Sequence, residues 1–266
     1  MAWEALAKMR DANPLVQCIT NFVSMDFMAN TLLAAGASPA MAHAIDEIDE
    51  FVAIADALCI NAGTLSPEWL ASMKAAGARA RQLNKPWVLD PVAAGATSFR
   101  TSACIELLAL GPSIVRGNAS EILALSRASN LPPTKGVDSA HDPSQALGAA
   151  KSLAEKYHCV VAVSGAVDLV TDGTRVVSVS NGVPMLQKIT ASGCSVTALI
   201  AAFAAVYPRE QHLEACAFAL ALFGLAGEIG MSKASGPASL RLQLIDALHG
   251  LDQATVSSGV KISEAS

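Results

Sequence analysis

Leu58-Cys-Ile-Asn-Ala-Gly-Thr-Leu-Ser-Pro-Glu68 carries a complete strand-to-helix transition. Residues 58–61 are a short apolar run that ends on a polar side chain, the pattern of a buried strand. Ser66 then caps a helix whose first helical position is Pro67, where the missing N–H would have had no partner anyway. The Ala-rich run beyond it extends this helix to about Gln82. Strand, polar loop and helix together make a βα unit.

The same unit recurs in both directions. Upstream, residues 15–20 read as a strand and 24–35 as a helix closed by Gly36; a strand at 39–42 and a helix at 46–55 follow. Downstream come strands at 87–89 and 114–115, each followed by a helix, at 102–109 and 119–127. Residues 130–142 are polar and Pro-containing, as in a surface loop; a helix at 143–157 and a buried strand at 160–164 follow them. The pattern then changes. Residues 169–171 and 176–179 flank Asp172-Gly173 and predict a hairpin. Helices at 195–206, 210–231 and 238–251 finish the chain. Alternating strands and helices predict an α/β three-layer sandwich, a central and mainly parallel sheet with helices on both faces. No Pro/Gly/Ser linker and no repeat divides the chain, so residues 1–266 are expected to be one domain, with a polar, loosely ordered tail from about 252.

Composition narrows the function. The 266 residues are 52% hydrophobic and 15% charged, with a net charge of -5 and a pI near 5.5. The 18 basic residues are scattered, which argues against nucleic acid and anionic membranes as partners. Cysteines 18, 59, 104, 159, 194 and 216 form no Cys-x-x-Cys pair, and several lie in apolar runs. They read as buried free thiols in a reducing cytoplasm. The acidic N-terminal stretch lacks a signal-peptide core, and the apolar stretches at 196–206 and 215–227 are shorter than a ~20-residue membrane span.

In parallel α/β sheets, ligands bind beyond the carboxyl ends of the strands. Those ends here are Thr20-Asn21, Met41, Asn61-Ala-Gly63, Asp90-Pro91, Arg116-Gly-Asn118, Ser164-Gly165 and Thr190-Ala-Ser-Gly-Cys194, together one pocket rim. The last of these opens an apolar helix with small residues. Its free N–H groups and the helix dipole suit a phosphate, and a thiol at Cys194 would be acidified there. Ser192 or Ser195 acting as an ordinary helix cap explains the same residues, and the loop lacks a Walker A ending. Asn118-Ala-Ser-Glu121 is a capping-box pattern, although Glu121 also suits hydrated magnesium and Arg116 suits nucleotide phosphates. Asp90 is either a second metal-site acid or the acceptor for turn N–H groups.

Several runs resemble bacterial hydroxyethylthiazole kinases, within the ribokinase-like group: Cys18-Ile-Thr-Asn21, Asn30-Thr-Leu-Leu-Ala-Ala-Gly-Ala-Ser-Pro-Ala-Met41, Leu89-Asp-Pro-Val92, Arg116-Gly-Asn-Ala-Ser-Glu121 and Gly236-Pro237. The likeness extends from about Pro14 to Leu248. It implies ATP- and Mg2+-dependent phosphorylation of the hydroxyethyl group of 4-methyl-5-(2-hydroxyethyl)thiazole for thiamine synthesis, by a homotrimer. The resemblance puts Met41, Asn21, Val23 and the N–H of Ala191 at the thiazole alcohol. It gives ATP binding to Arg116, Ser164, Thr190 and Gly193, the metal to Asp90 and Glu121, and assistance in catalysis to Cys194. Two places depart from the family pattern. Family members usually read Val-Thr-Gly-Glu where this chain has Val163-Ser-Gly-Ala166, losing a carboxylate. Thr-Gly-Thr/Ala-Gly-Cys becomes Thr190-Ala-Ser-Gly-Cys194, adding a Cβ at Ala191.

Two other readings compete with this one: a related kinase for another small alcohol such as hydroxymethylpyrimidine, and a thiazole-binding protein without activity. A cysteine hydrolase would need a histidine beside Cys194. None of the five histidines sits in a motif with it, and His141, His158, His212 and His249 read as surface or helix-end residues.

Overall fold

The computed structural model describes residues 1–131 and 143–265. Its strands are β1 (Leu15–Ile19), β2 (Ser38–Ala40), β3 (Ala57–Asn61), β4 (Trp87–Asp90), β5 (Ile114–Asn118), β6 (Val160–Ser164), β7 (Asp168–Thr171), β8 (Val176–Val179) and β9 (Ile262–Glu264). They form one sheet in the order β2-β1-β3-β4-β5-β6-β7-β8-β9. The pairs from β2 to β6 are parallel; β7, β8 and β9 continue the sheet antiparallel. A mainly parallel sheet was expected, and the hairpin falls at the expected turn.

Alternation along the strands assigns the two faces. Val88 of β4 and Cys59 of β3 join one core; Trp87, Leu89, Leu58 and Ile60 join the other. The first core is covered by α1 (Ala2–Ala12), α2 (Met25–Ala35), α8 (Ser192–Val206), α9 (His212–Met231) and α10 (Pro237–His249). The second is covered by α3 (Ile48–Ile54), α4 (Pro67–Gln82), α5 (Ser98–Leu108), α6 (Ala119–Ala128) and α7 (Pro143–Tyr157). Helix α4 begins as its sequence dictates: the Ser66 hydroxyl accepts the Trp69 N–H at 3.2 Å, with Pro67 behind it. Helix α8 is buried on every side from Ser195 to Ala204 and packs against β1, β3 and β4. Burying its Leu199, Ile200 and Phe203 contributes about 1.5–3 kcal/mol each. That burial fixes the helix's N-terminus at the carboxyl edge of the strands.

Four expectations change. Residues 2–12 form α1, whose Ala5, Leu6 and Met9 are buried, where sequence reading proposed no element. The stretch after 252 is polar but ordered, as α11 (Gln253–Gly259) and the edge strand β9, because Val256 and Leu251 reach the core. Residues 209–231 make a continuous helical run long and apolar enough to cross a membrane, contrary to the shorter apolar stretch read from sequence. Of its most apolar window, 78% is buried inside the protein, so it is a core helix here. His212 is also buried, at the start of α9, rather than on the surface. The expected loop lies outside the described residues from 132 onward, as does His141.

Candidate active site

A chain of buried polar side chains crosses the carboxyl edge of the sheet. Register places Asn61 at the end of β3 beside Asp90 at the end of β4. The Asn61 Nδ2 donates to Asp90 Oδ2 at 2.7 Å, and the Thr197 hydroxyl of α8 donates to the same oxygen at 3.0 Å. Asn61 Oδ1 in turn accepts from Asn21 Nδ2 at 2.7 Å, and that nitrogen lies 3.5 Å from Cys194 Sγ. The Asn21 Oδ1 accepts the N–H groups of Val23 and Ser24, which holds the first turn before α2. Asn21, Asp90 and Cys194, three residues picked from sequence, therefore share one network. Asn61 and Thr197 complete it. Asn61 was visible as a polar strand end; Thr197 looked like one more residue of an apolar helix.

Electrostatics separates the acid from the thiol. Asp90 is 1% exposed, and burial together with the neighbouring Glu121 pushes its carboxyl up to about 6, against the pull of Arg116 and its hydrogen bonds. It stays largely ionised at neutral pH. Cys194 behaves otherwise than its helix-terminal position suggested. Burial first, and then the Asp90 charge, push its thiol up to about 11, outweighing Asn21, Asn61 and Arg116. It is a neutral thiol at pH 7.

The start of α8 keeps the features of an anion site. Ser195 N–H bonds the Ala191 carbonyl at 2.8 Å, while among the described residues the amides of Gly193 and Cys194 have no backbone acceptor. The Arg116 guanidinium lies directly over Gly193, where an added Cβ would meet Arg116 Nη1 at 2.6 Å. Arg116 is itself held by the Ser164 hydroxyl, which accepts from Nε at 2.9 Å. Arg116, Ser164 and Gly193 line a cavity of about 490 Å³ together with Ala166, Asp168 and Asn181. Thr190 is exposed and is not among its lining residues. Asp168 was missed: it accepts the Gly165 N–H at 2.9 Å, and burial raises its carboxyl against the pull of that N–H and Arg116. It supplies a carboxylate to a wall where Ala166 has none.

Ala191, the position flagged for its extra Cβ, has φ 66, in the left-handed region. Ala191→Gly is expected to raise stability by about 0.5–1 kcal/mol, because relief of that strain exceeds the extra unfolded-chain entropy of glycine. Turnover should change less than about twofold, since the backbone N–H is retained. Thermal unfolding together with kcat checks both; a lower Tm would mean that the loop imposes no strain on Ala191.

Glu121 forms the capping box its spacing predicted. Its Oε2 accepts the Asn118 N–H at 2.8 Å while Asn118 Oδ1 accepts the Glu121 N–H at 3.0 Å. Its Oε1 accepts the Ala93 N–H at 2.8 Å, which ties the loop after β4 to α6. A second cavity, about 510 Å³, opens against Glu121, Asn118, Ala93 and Arg127. Among the described residues no three His, Cys, Asp or Glu side chains converge as a self-sufficient metal site. Magnesium takes one or two carboxylates and completes its shell with water and phosphate oxygens. Asp90 and Glu121 fit such a role, Glu121 through water because both its oxygens already accept N–H groups. Arg100, also missed, donates to the carbonyls of Ala62, Val92 and Gly63, and so joins the loops on either side of Asp90.

At the far edge, Met41 is half-buried just beyond β2. His43 Nε2 accepts the Thr20 N–H at 3.3 Å, and Trp69 donates to the Thr20 carbonyl at 2.7 Å. The Trp69 ring lies 4.6 Å from His43 and 5.0 Å from Phe22. These aromatic residues support the segment holding Asn21 and Val23. Phe22 and Val23 themselves are 67% and 59% exposed.

Comparisons with known proteins show what the chain resembles. The model of the hydroxyethylthiazole kinase family matches residues 6–254. The chain is 60% identical to a hydroxyethylthiazole kinase of Zea mays, covering 98% of this chain and 92% of the relative. The hydroxyethylthiazole kinase structure from Pyrococcus horikoshii OT3 superposes with a TM-score of 0.92 at 41% identity, over 100% of this chain and 99% of that one. A pyridoxal kinase from Staphylococcus aureus in complex with AMP-PCP has a TM-score of 0.64 at 16% identity, covering 95% of this chain and 99% of that one. This last likeness bears on the fold alone, and the fold is ribokinase-like.

Proposed function

The chain belongs to the hydroxyethylthiazole kinase family, and on that premise we propose that it phosphorylates 4-methyl-5-(2-hydroxyethyl)thiazole with ATP. The alcohol oxygen attacks the γ-phosphorus, the bond from that phosphorus to the bridging oxygen breaks, and the alcohol proton passes to solvent water. The products are the thiazole phosphate, a precursor for thiamine phosphate, and ADP. The observation that carries this reading is the meeting of Arg116, the free amides at the start of α8 and the buried Asp90 at one strand edge.

In this reading the nucleotide occupies the cavity beside Arg116, Ser164 and Gly193, and the thiazole lies toward Met41, Asn21, Val23 and Ala191. Arg116 and the amides of Gly193 and Cys194 face the charge that spreads over the transferred phosphoryl group. Magnesium, carried by the nucleotide and met by Asp90 and Glu121, would supply further charge neutralisation. Cys194, neutral at pH 7, positions the alcohol by hydrogen bonding rather than acting as a resident base. Cys194→Ser, which keeps a hydroxyl donor, is therefore expected to lower kcat by less than about tenfold. Complete loss of turnover in a folded variant would assign the thiol an indispensable proton transfer.

The exposed apolar side chains of Phe22, Val23, Leu33 and Leu242 support a homotrimer whose thiazole pockets lie at subunit boundaries, with sedimentation as the check. Free cysteines throughout the described residues support a cytoplasmic location. The reaction is tested by ADP formation from magnesium-ATP with hydroxyethylthiazole, beside hydroxymethylpyrimidine and a blank without alcohol. Thiazole-dependent ADP is expected. Turnover of the pyrimidine alone would reassign the substrate, and stabilisation by thiazole without turnover would make the protein a binder.

A further inference from the structure

The nucleotide-side cavity has one wall whose polar contacts run to the end of the chain. Residues Asn181, Gly182 and Val183 line it together with Arg116 and Ser164. Asn181 is buried, and every polar atom of its side chain points into one cluster. Its Nδ2 donates to the Gly259 carbonyl at 2.9 Å and to Glu228 Oε1 at 3.2 Å, while its Oδ1 accepts the Lys261 N–H at 2.7 Å. Gly182 donates its N–H to Glu228 Oε1 at 2.9 Å. Lys261 Nζ reaches both Glu228 oxygens, at 3.2 and 3.1 Å, and the Lys261 carbonyl accepts the Ser180 N–H at 3.0 Å. The strand β9 then pairs with β8, which leads into this wall.

The packing beneath is equally close. A Cβ on Gly224 of α9 would lie 2.6 Å from the Asn181 carbonyl, and one on Gly259 would lie 2.5 Å from Leu225 Cδ1. Gly182 has φ 126, so the wall turns sharply at the point where Glu228 grips it. A backbone held in that conformation by the Glu228 side chain and by backbone groups of Gly259 and Lys261 is preorganised. Without them, a ligand would have to order it on binding.

We infer that Glu228, Asn181 and the segment from Gly259 to Lys261 form a clamp that presets the 180–183 wall for the nucleotide. This inference rests on the nucleotide reading of that cavity. Glu228 is a positioning residue, since it is not among the residues that line the cavity.

The test compares Glu228→Ala and Glu228→Gln with Arg116→Ala, measuring KM for magnesium-ATP, KM for the thiazole alcohol and kcat in the full chain. Glu228→Ala is expected to raise the nucleotide KM about tenfold, with kcat and the thiazole KM within about twofold. Glu228→Gln, which keeps an acceptor for the Gly182 N–H, should recover most of that loss. If Glu228→Ala leaves the nucleotide KM unchanged while Arg116→Ala raises it, the clamp is wrong and the cavity reading stands. If Arg116→Ala also leaves it unchanged, the cavity does not hold the nucleotide and the clamp falls with it. A parallel shift of kcat and both KM values would mark general loosening and likewise overturn the inference. Should Glu228→Ala fail to fold, Lys261→Ala, which frees Glu228 from its ion pair, is read by the same three constants: a nucleotide KM raised alone supports the clamp, and an unchanged one overturns it.

Discussion

Asp90→Asn is expected to reduce kcat by about 10³-fold while making the free protein more stable. The two effects have one cause. The carboxylate lies buried between Asn61 and Thr197, with Glu121 adding negative potential, and burial lifts its pKa from 3.8 to about 6. Between those values the folded state binds more protons than the unfolded chain, so stability falls as pH rises. The contribution is fully present below about pH 3.8 and is lost as pH rises through about 6. At pH 7.5 the ionised carboxylate therefore destabilises the fold by up to about 3 kcal/mol. Asparagine can present its oxygen to the same two donors without the charge. In buffer free of nucleotide and divalent cation, the variant should melt several degrees higher at pH 7.5, with that advantage shrinking toward pH 4. Turnover near the wild-type level would remove Asp90 from the phosphoryl-transfer machinery. An unchanged Tm at pH 7.5 would mean that the buried charge carries no net penalty.

What the sequence made legible follows from where the signals are local. Strand runs such as Val160–Ser164, the Ser66-Pro67 helix start and the Asn118/Glu121 capping box depend on neighbours within a few residues, and all are found in the structure. Ends of the chain were harder. The α1 helix and the α11–β9 segment have weak apolar patterns and are ordered by distant partners. Arg10, for example, donates to the carbonyls of Leu248, His249 and Leu251. The site divides in the same way. Asn21, Asp90, Arg116 and Ser164 announced themselves as polar residues at strand ends. Thr197 reaches Asp90 across 107 positions, Arg100 reaches Gly63 and Ala62 across 37 and 38, and Asp168 acts through a backbone turn, so no local pattern marks them. The Cys194 thiol was misjudged because the helix terminus is visible in sequence, whereas the depth of burial beside Asp90 is not.

Gly63→Ala is expected to damage stability and activity together, although Gly63 carries no chemistry. A Cβ there would lie 2.5 Å from both Cβ and Nδ2 of Asn21. The clash includes Asn21 Cβ, which cannot swing away as the end of a long side chain would, so Asn21 must move bodily. Three functions are then lost together: the cap on Val23 and Ser24, the bond to Asn61 and the contact with Cys194. Gly63 also donates its N–H to Asn61 Oδ1 at 3.0 Å, so its displacement disturbs the partner of Asp90 as well. Overpacking and loss of the cap should together cost about 2–4 kcal/mol of stability. A shift of about 1 Å in the groups that orient the alcohol should lower kcat/KM for the thiazole about 10²-fold. The nucleotide KM should change little, because Arg116 bonds the Ser164 hydroxyl and makes no hydrogen bond to Asn21 or Asn61. A folded Gly63→Ala protein with normal thiazole kinetics would mean that the Asn21–Asn61–Asp90 chain tolerates displacement and does not set the geometry of transfer.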